Sequence, residues 1–224
     1  MESSTPTTPR LPCPRPARVA LEGRYVRLEP FEVARHAAGL WQAASGPGAE
    51  ARFEFLADPP PRDLDDMTRR VAAEATRDDP LAFAVVDRDS DVALGRQSLM
   101  RIEPAHGVIE IGSVLWGPRM SRSRRSTEAL QLAASYVFDA LGYRRFEWKC
   151  NNANEPSKRA AERFGFTFEG IFRQHMIIKG ENRDTAWFSM LNGEWPTRKA
   201  GFLRWLDPAN FDEAGNQKTP LSVR

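Results

Sequence analysis

The apolar and polar positions change period several times along this chain, and each change marks an element. In Arg24-Tyr25-Val26-Arg27-Leu28, Tyr25 and Arg27 alternate with Val26 and Leu28, which predicts a short strand. Over residues 31–44 the period becomes helical, with Phe31, Val33, Ala34, Ala37, Leu40 and Trp41 near one face. A Gly-, Pro- and Ala-rich loop follows and closes on Ala57-Asp58-Pro59-Pro60-Pro61. A second helix is predicted over 63–77, with Leu64, Met67, Val71 and Ala72 inward. Residues 81–86 read as a strand, 87–91 as a turn and 92–102 as the hairpin partner. The next strand, 108–116, ends at Gly117-Pro118; Gly112 within it signals a bulge or a close backbone approach.

The second half alternates more regularly. A long helix is predicted from about 126 to 141, with Ala129, Leu130, Ala133, Val137, Ala140 and Leu141 on one face and Gly142 as its stop. Strand 144–150 breaks into an Asn-rich turn, and a short helix over 154–164 ends at Gly165. Two strands, about 166–179 and 183–192, hinge on Lys179-Gly180-Glu181-Asn182. In the order β-α-α-β-β-β-α-β-α-β-β, strands alternate with helices in the second half, which implies an α/β fold whose sheet is parallel in part, and hairpins in the first half make that sheet mixed.

The ends differ from the middle. Residues 1–18 carry Pro6, Pro9, Pro12, Pro14 and Pro16 among Ser and Thr, and are expected to be disordered or draped on the surface. The folded domain is expected over 19–193. An extension, 194–224, packs back through Phe202, Trp205, Leu206 and Phe211 and loosens after Gly215.

Composition removes several function classes. A net charge of +2 is too small for a dedicated nucleic-acid binder. Two cysteines, Cys13 and Cys150, make neither a disulfide framework nor paired metal-ligand spacing, so a reducing cytoplasm is the default expectation. His36, His106 and His175 form no zinc motif, and no metal is expected. No apolar run reaches the length of a membrane span, and the N-terminus lacks a secretory h-region.

The richest local chemistry lies at Lys149-Cys150-Asn151-Asn152-Ala153-Asn154-Glu155-Pro156-Ser157. Strand, turn and helix follow one another at once, so Asn154 and Ser157 meet at a helix N-terminus with free N–H groups and a positive dipole end. The same pair also suits plain helix capping. Upstream, the strand ending at Trp116 feeds Arg119-Met120-Ser121-Arg122-Ser123-Arg124-Arg125-Ser126-Thr127 and then the long helix. Such a strand-loop-helix unit aims N–H groups at an anion, and forked guanidinium donors suit a pyrophosphate. A solvated basic loop is the alternative.

These segments, in this order, resemble the GNAT N-acetyltransferase superfamily, in particular its RimJ/RimL-like branch of ribosomal-protein alanine N-acetyltransferases. The resemblance spans about residues 22–192. It is carried by Leu21-Glu22-Gly23-Arg24-Tyr25-Val26-Arg27-Leu28-Glu29-Pro30, Ile109-Glu110-Ile111-Gly112, Ser126-Thr127-Glu128-Ala129, Asn154 with Ser157, Gly165-Phe166 with Glu169-Gly170, and Lys179-Gly180-Glu181-Asn182-Arg183-Asp184. It implies a GNAT acyl-CoA N-acyltransferase fold with a V-split mixed sheet flanked by helices. It also implies acetyl-CoA as co-substrate and direct transfer to a primary amine of a small molecule or a peptide or protein N-terminus.

The resemblance further implies that Ser121, Arg122, Ser123, Arg124, Arg125, Ser126 and Thr127 hold the pyrophosphate. Backbone groups of Val114, Leu115 and Trp116 serve the oxyanion, and Asn154 the pantetheine arm. The family's loop pattern, Gln/Arg-x-x-Gly-x-Gly/Ala, is replaced by Ser121, Arg124 and Ser126, so its glycines are missing. The Tyr that many members use for the leaving thiolate is Ala161 by register, which passes that role to Ser157. Glu110, His175 and Glu169 are the candidate bases, beside water-mediated proton removal. Cys150 reads as a strand residue near the thiol site, and Arg183-Asp184 as a binding wall or an ion-pair seal. The rival readings are a degenerate CoA-binding protein without turnover and a basic-loop nucleic-acid binder; a homodimer is a further possibility.

Overall fold

The computed structural model describes residues 10–223. Eight strands form one sheet in the order β1-β2-β3-β4-β5-β6-β8-β7. They are β1 (Leu21–Glu22), β2 (Val26–Pro30), β3 (Leu81–Asp87), β4 (Ala93–Glu103), β5 (Val108–Trp116), β6 (Arg145–Asn151), β7 (Thr167–Ile178) and β8 (Glu181–Leu191). Only β5 and β6 pair in parallel; the other neighbours are antiparallel. The helices are α1 (Val33–Ala44), α2 (Ala49–Phe53), α3 (Leu64–Ala75), α4 (Arg124–Ser135), α5 (Glu155–Arg163) and α6 (Trp195–Leu206).

Strand β3 shows why the sheet is covered on both faces. Its run Leu-Ala-Phe-Ala-Val-Val is buried throughout. Leu81, Phe83 and Val85 enter the main core with α4, α5 and α6, while Ala82, Ala84 and Val86 enter a second core with α1, α2 and α3. Alternation sends large residues to one face and mostly alanine to the other.

The predicted elements stand with shifted ends. Helix α4 starts at Arg124, earlier than the periodicity suggested, because Ser123 accepts a hydrogen bond from Arg125 N at 3.2 Å and caps it. Its regular part stops at Ser135, and Tyr136–Ala140 continues as a wider π turn, with Leu141 N bonded to Tyr136 O. Helices α2 and α6 and strand β1 were not foreseen; α2 is one short turn fixed by the buried Phe53.

Of the Pro-rich stretch 1–18, residues 1–9 lie outside the described residues. The expectation of disorder does not hold for Cys13, which is 4 % exposed. Its N–H donates to Pro104 O at 3.0 Å, and its thiol reaches the carbonyl of Gly142. The C-terminal residues after Gly215 also return to the domain: Val223 is 4 % exposed. They lie against Gly201, where a Cβ would stand 2.3 Å from Ser222 O, so only glycine lets the chain pass there.

Candidate active site

The β5–β6 ladder ends at Ile111↔Trp148, and past it the two strands part. The cause is local. Register on β4 jumps from Ser98↔Gly112 to Arg96↔Leu115, so Gln97 faces both Ser113 and Val114, and Ser113 takes φ +50°. This bulge bends β5 away from β6. No backbone approaches Gly112 closely; what packs over it is the flexible Met100 side chain, whose Sδ would stand 2.4 Å from a Cβ there. The edge of β5 beyond Ile111 is left out of the ladder with β6, and its main-chain groups face the gap.

A cavity of about 550 Å³ fills the gap. Its walls come from Met100 on β4, Glu110 to Val114 on β5, Trp148 to Asn151 on β6, the start of α5, and Met176, Ile178 and Arg183 on β7 and β8. Residues 51–57 close it from above, and Lys179 Nζ donates to Phe53 O at 2.8 Å, tying the β7–β8 turn to that roof.

Two predicted site residues meet here at the start of α5. Asn154 Oδ1 accepts from Ser157 N at 3.0 Å, which is helix capping. Ser157 Oγ accepts from Trp148 Nε1 at 3.0 Å and lines the cavity. The capping reading holds, and the cap also fixes Ser157 in the cavity wall. Ala161, one turn later, is fully buried in the main core, so the family's Tyr position points inward in this chain. Cys150 also lines the cavity; burial pushes its thiol above the ordinary value, with the Ser157 hydroxyl opposing, so it is a poor nucleophile at neutral pH.

Glu110 is 1 % exposed, yet it is one of the residues that line the cavity. Lys149 Nζ and Arg101 Nε each approach its Oε2 at 3.3 Å, without an aligned hydrogen bond. Burial dominates over the two cations and pushes the carboxyl up to about 7. A carboxylate poised there can take up a proton at neutral pH.

His175 and Glu169 are not on this cavity. They line a neighbouring hollow of about 650 Å³ with Arg145, Phe172 and Trp187. Glu169 is held by Arg145 through two contacts of 2.7 and 2.6 Å and by Ser189 Oγ at 2.6 Å. Those partners, Arg145 foremost, keep its carboxyl below the usual range, which makes it a weak base. His175 Nδ1 meets Thr185 Oγ1 at 3.0 Å, and burial together with Lys149, Arg101 and Arg183 lowers its proton affinity.

The candidate cofactor loop lies where β5 runs on past the cavity. Leu115 and Trp116 turn their side chains into packing, so only their main chain is on offer. Ser121, Arg122 and Ser123 form the turn into α4, with Arg122 at φ +57°. Ser126 and Thr127 are buried; Ser126 Oγ donates to Ser123 O at 2.9 Å, and Thr127 Oγ1 accepts from Arg163 at 3.1 Å. The arginines divide. Arg125 is spent on the buried Asp87 at 2.5 Å and on Asp89 at 3.2 Å. Arg124 stacks over Tyr25 and Phe211, at 4.4 and 5.5 Å from the ring centroids. Arg122 stays exposed. Arg124, its side chain turned onto Tyr25 and Phe211, and the bonded Ser126 thus stand where the family has glycines.

The sequence reading left Arg101, Lys149 and residues 51–57 without a role. Lys149 stood inside a motif, but its approach to Glu110 follows from the parallel register Glu110↔Glu147, which no local pattern shows. Residues 51–57 carried no signal of their own, only the flanking punctuation of Gly46-Pro47-Gly48 and Pro59-Pro60-Pro61.

Among the described residues, no helix is long and apolar enough to cross a membrane, and no group of three or more His, Cys, Asp or Glu is placed to hold a metal ion. Residues 26–167 match the family described as "Acetyltransferase (GNAT) domain". The chain is similar to an uncharacterized N-acetyltransferase, p20, of Bacillus licheniformis: 28% identical over 60% of this chain and 73% of that one. It is 32% identical to the putative ribosomal N-acetyltransferase YdaF of Bacillus subtilis, over 33% of this chain and 40% of that one. Among solved structures, a GCN5-related N-acetyltransferase from Brucella melitensis superimposes with a TM-score of 0.92 at 55% identity, covering 94% of this chain and 96% of that one. With its mixed sheet, its split strands and this match over most of its length, the chain belongs to the GNAT family of acetyltransferases.

Proposed function

We propose that this protein is an acetyl-CoA-dependent N-acetyltransferase that passes acetyl directly to a primary amine of a small molecule or of a peptide or protein N-terminus. The observation that carries this reading is the convergence of Glu110, Ser157 and the open edge of β5 on one cavity at the sheet split. Acetyl-CoA supplies an activated acetyl group as a thioester. The start of α4 suits its pyrophosphate: the N–H groups of Ser121, Ser123 and Arg125 are bonded within the loop, which leaves those of Arg122, Arg124, Ser126 and Thr127 and the exposed Arg122 side chain as donors. Asn154 keeps its amide N–H groups for the pantetheine arm, since only Oδ1 is used by the cap.

Each chemical demand has a residue. Glu110 takes the proton from the incoming amine, directly or through a water; it is preferred to His175 because it faces the same cavity as Ser157. The main chain of Val114, Leu115 and Trp116 polarises the acetyl carbonyl. Ser157, accepting from the Trp148 indole, has its own hydrogen to offer the departing sulfur. The relative named for ribosomal N-acetylation favours peptide N-termini as one acceptor class.

The test is thermal unfolding and mass spectrometry with acetyl-CoA, longer acyl-CoAs and CoA. Saturation at about 100 times Kd stabilises by about 2.7 kcal/mol, a readily measured rise in Tm. Ser157→Ala should bind acetyl-CoA as before and lose roughly tenfold or more in kcat. An unchanged kcat would remove Ser157 from the chemistry. No shift with any CoA species would sink the donor assignment, and binding without turnover of any amine would favour the degenerate reading.

A further inference from the structure

One cation of the cavity has no partner. Arg183, on β8, lines the cavity, and none of the ion pairs among the described residues includes it. Its Nε is buried and meets no hydrogen-bond acceptor there. The other cations of the lining are committed: Arg52 donates to the carbonyls of Ala44, Ser45 and Pro47, and Lys149 contacts Glu110. The neighbouring Asp184 does not line the cavity and accepts from Gln174 N at 2.7 Å, so Arg183 stands in the wall without an ion-pair seal. Burial lowers the proton affinity of Arg183, and Glu110 and the Cys150 thiol are near enough to oppose this without touching it. His175, in the adjoining hollow, also feels Arg183, Lys149 and Arg101 as net positive charge.

A half-buried guanidinium without a counter-ion is costly, and an arriving anion removes the cost. The acetyl donor does not bring one here. The thioester end of acetyl-CoA and its pantetheine arm are neutral, and the phosphates belong at the start of α4, whose residues do not line this cavity. The anion must therefore come with the acceptor.

We infer that the acceptor is a primary amine bearing a carboxylate close to that amine, and that Arg183 is the residue that receives the carboxylate. This rests on the transferase reading above and names the substrate class of the same site. An α-amino acid and a peptide whose second residue is acidic offer the same chemistry. A forked guanidinium suits a carboxylate better than a point charge does.

The experiment compares matched acceptors: glycine and alanine against glycinamide and alaninamide, and Ala-Glu-amide against Ala-Gln-amide. The enzymes are wild type, Arg183→Gln and Arg183→Lys, with kcat and KM expressed per neutral amine because amides are less basic. In wild type, at least one carboxylate member should exceed its neutral twin about tenfold or more in kcat/KM. Arg183→Gln should erase that preference by raising the KM of the carboxylate member about tenfold, with the neutral twin within about twofold; Arg183→Lys should restore part of it. Preference among free amino acids identifies a metabolite acceptor, and preference within the dipeptide pair a peptide acceptor. Equal kcat/KM within every pair, or no turnover of any carboxylate member, overturns the inference. So does an Arg183→Gln variant that slows all acceptors alike. The Tm shift with acetyl-CoA on the same preparations separates the two levels: a retained shift with no preference sinks only the acceptor class, and a lost shift in wild type sinks both.

Discussion

Glu110→Gln lowers kcat/KM about a hundredfold, the usual worth of a positioned base, and removes the limb of the pH profile near neutrality. In wild type, kcat/KM rises as Glu110 ionises around pH 7, where burial places its proton. The acceptor amine contributes a separate limb at its own pKa, and that limb survives in the variant. The same residue sets a stability trend. A free carboxyl releases its proton near 4.5, while buried Glu110 holds it to about 7. Between those values the folded state binds more protons than the unfolded one, so stability falls as pH rises. The contribution is fully present below pH 4.5 and lost above about 7, on the order of 3 kcal/mol in all. Glu110→Gln should flatten that slope. A variant with an unchanged pH profile would return the base role to water or to His175.

Glu128→Ala should be the most destabilising of the single changes considered. Glu128, on α4, is 4 % exposed, and its carboxylate accepts from Arg24 N at 2.8 Å, Tyr25 N at 2.6 Å and Val26 N at 2.8 Å. It thereby ties the turn between β1 and β2 to the helix that begins at the cofactor loop. Alanine orphans those N–H groups in a buried place, a loss of about 4 kcal/mol. For a chain of this size the loss lowers Tm by roughly 10 °C. Gly23→Ala tests the same knot from the other side, since a Cβ there would stand 2.6 Å from Glu128 Oε2. A loss under about 1 kcal/mol for Glu128→Ala would mean that water replaces the carboxylate at little cost.

Glu128 also shows where sequence reading stops. Leu21 to Pro30 and Ser126 to Ala129 both marked the family resemblance, as separate segments. Only the fold shows that they are one feature, joined across more than a hundred residues. Arg125 tells the same story with the opposite effect. As sequence it was a free cation for phosphate, and the fold spends it on Asp87, a residue of the β3 strand end. His175 and Glu169 were plausible bases as residue types, yet strand pairing carries them to a neighbouring hollow, where Arg145 takes Glu169.

What could be read along the chain is what depends on near neighbours. Strand alternation, helical spacing, the Asn154–Ser157 cap and the bulge signalled by Gly112 each arise within a few residues, where steric and hydrogen-bonding rules leave a trace in residue order. The split of β5 from β6, the roof of residues 51–57, the proton affinity of Glu110 and the lone charge of Arg183 arise between segments far apart. Burial and charge pairing depend on distance in space and leave no period in the sequence, so only the tertiary structure decides which carboxylate is poised and which arginine is left waiting for an anion.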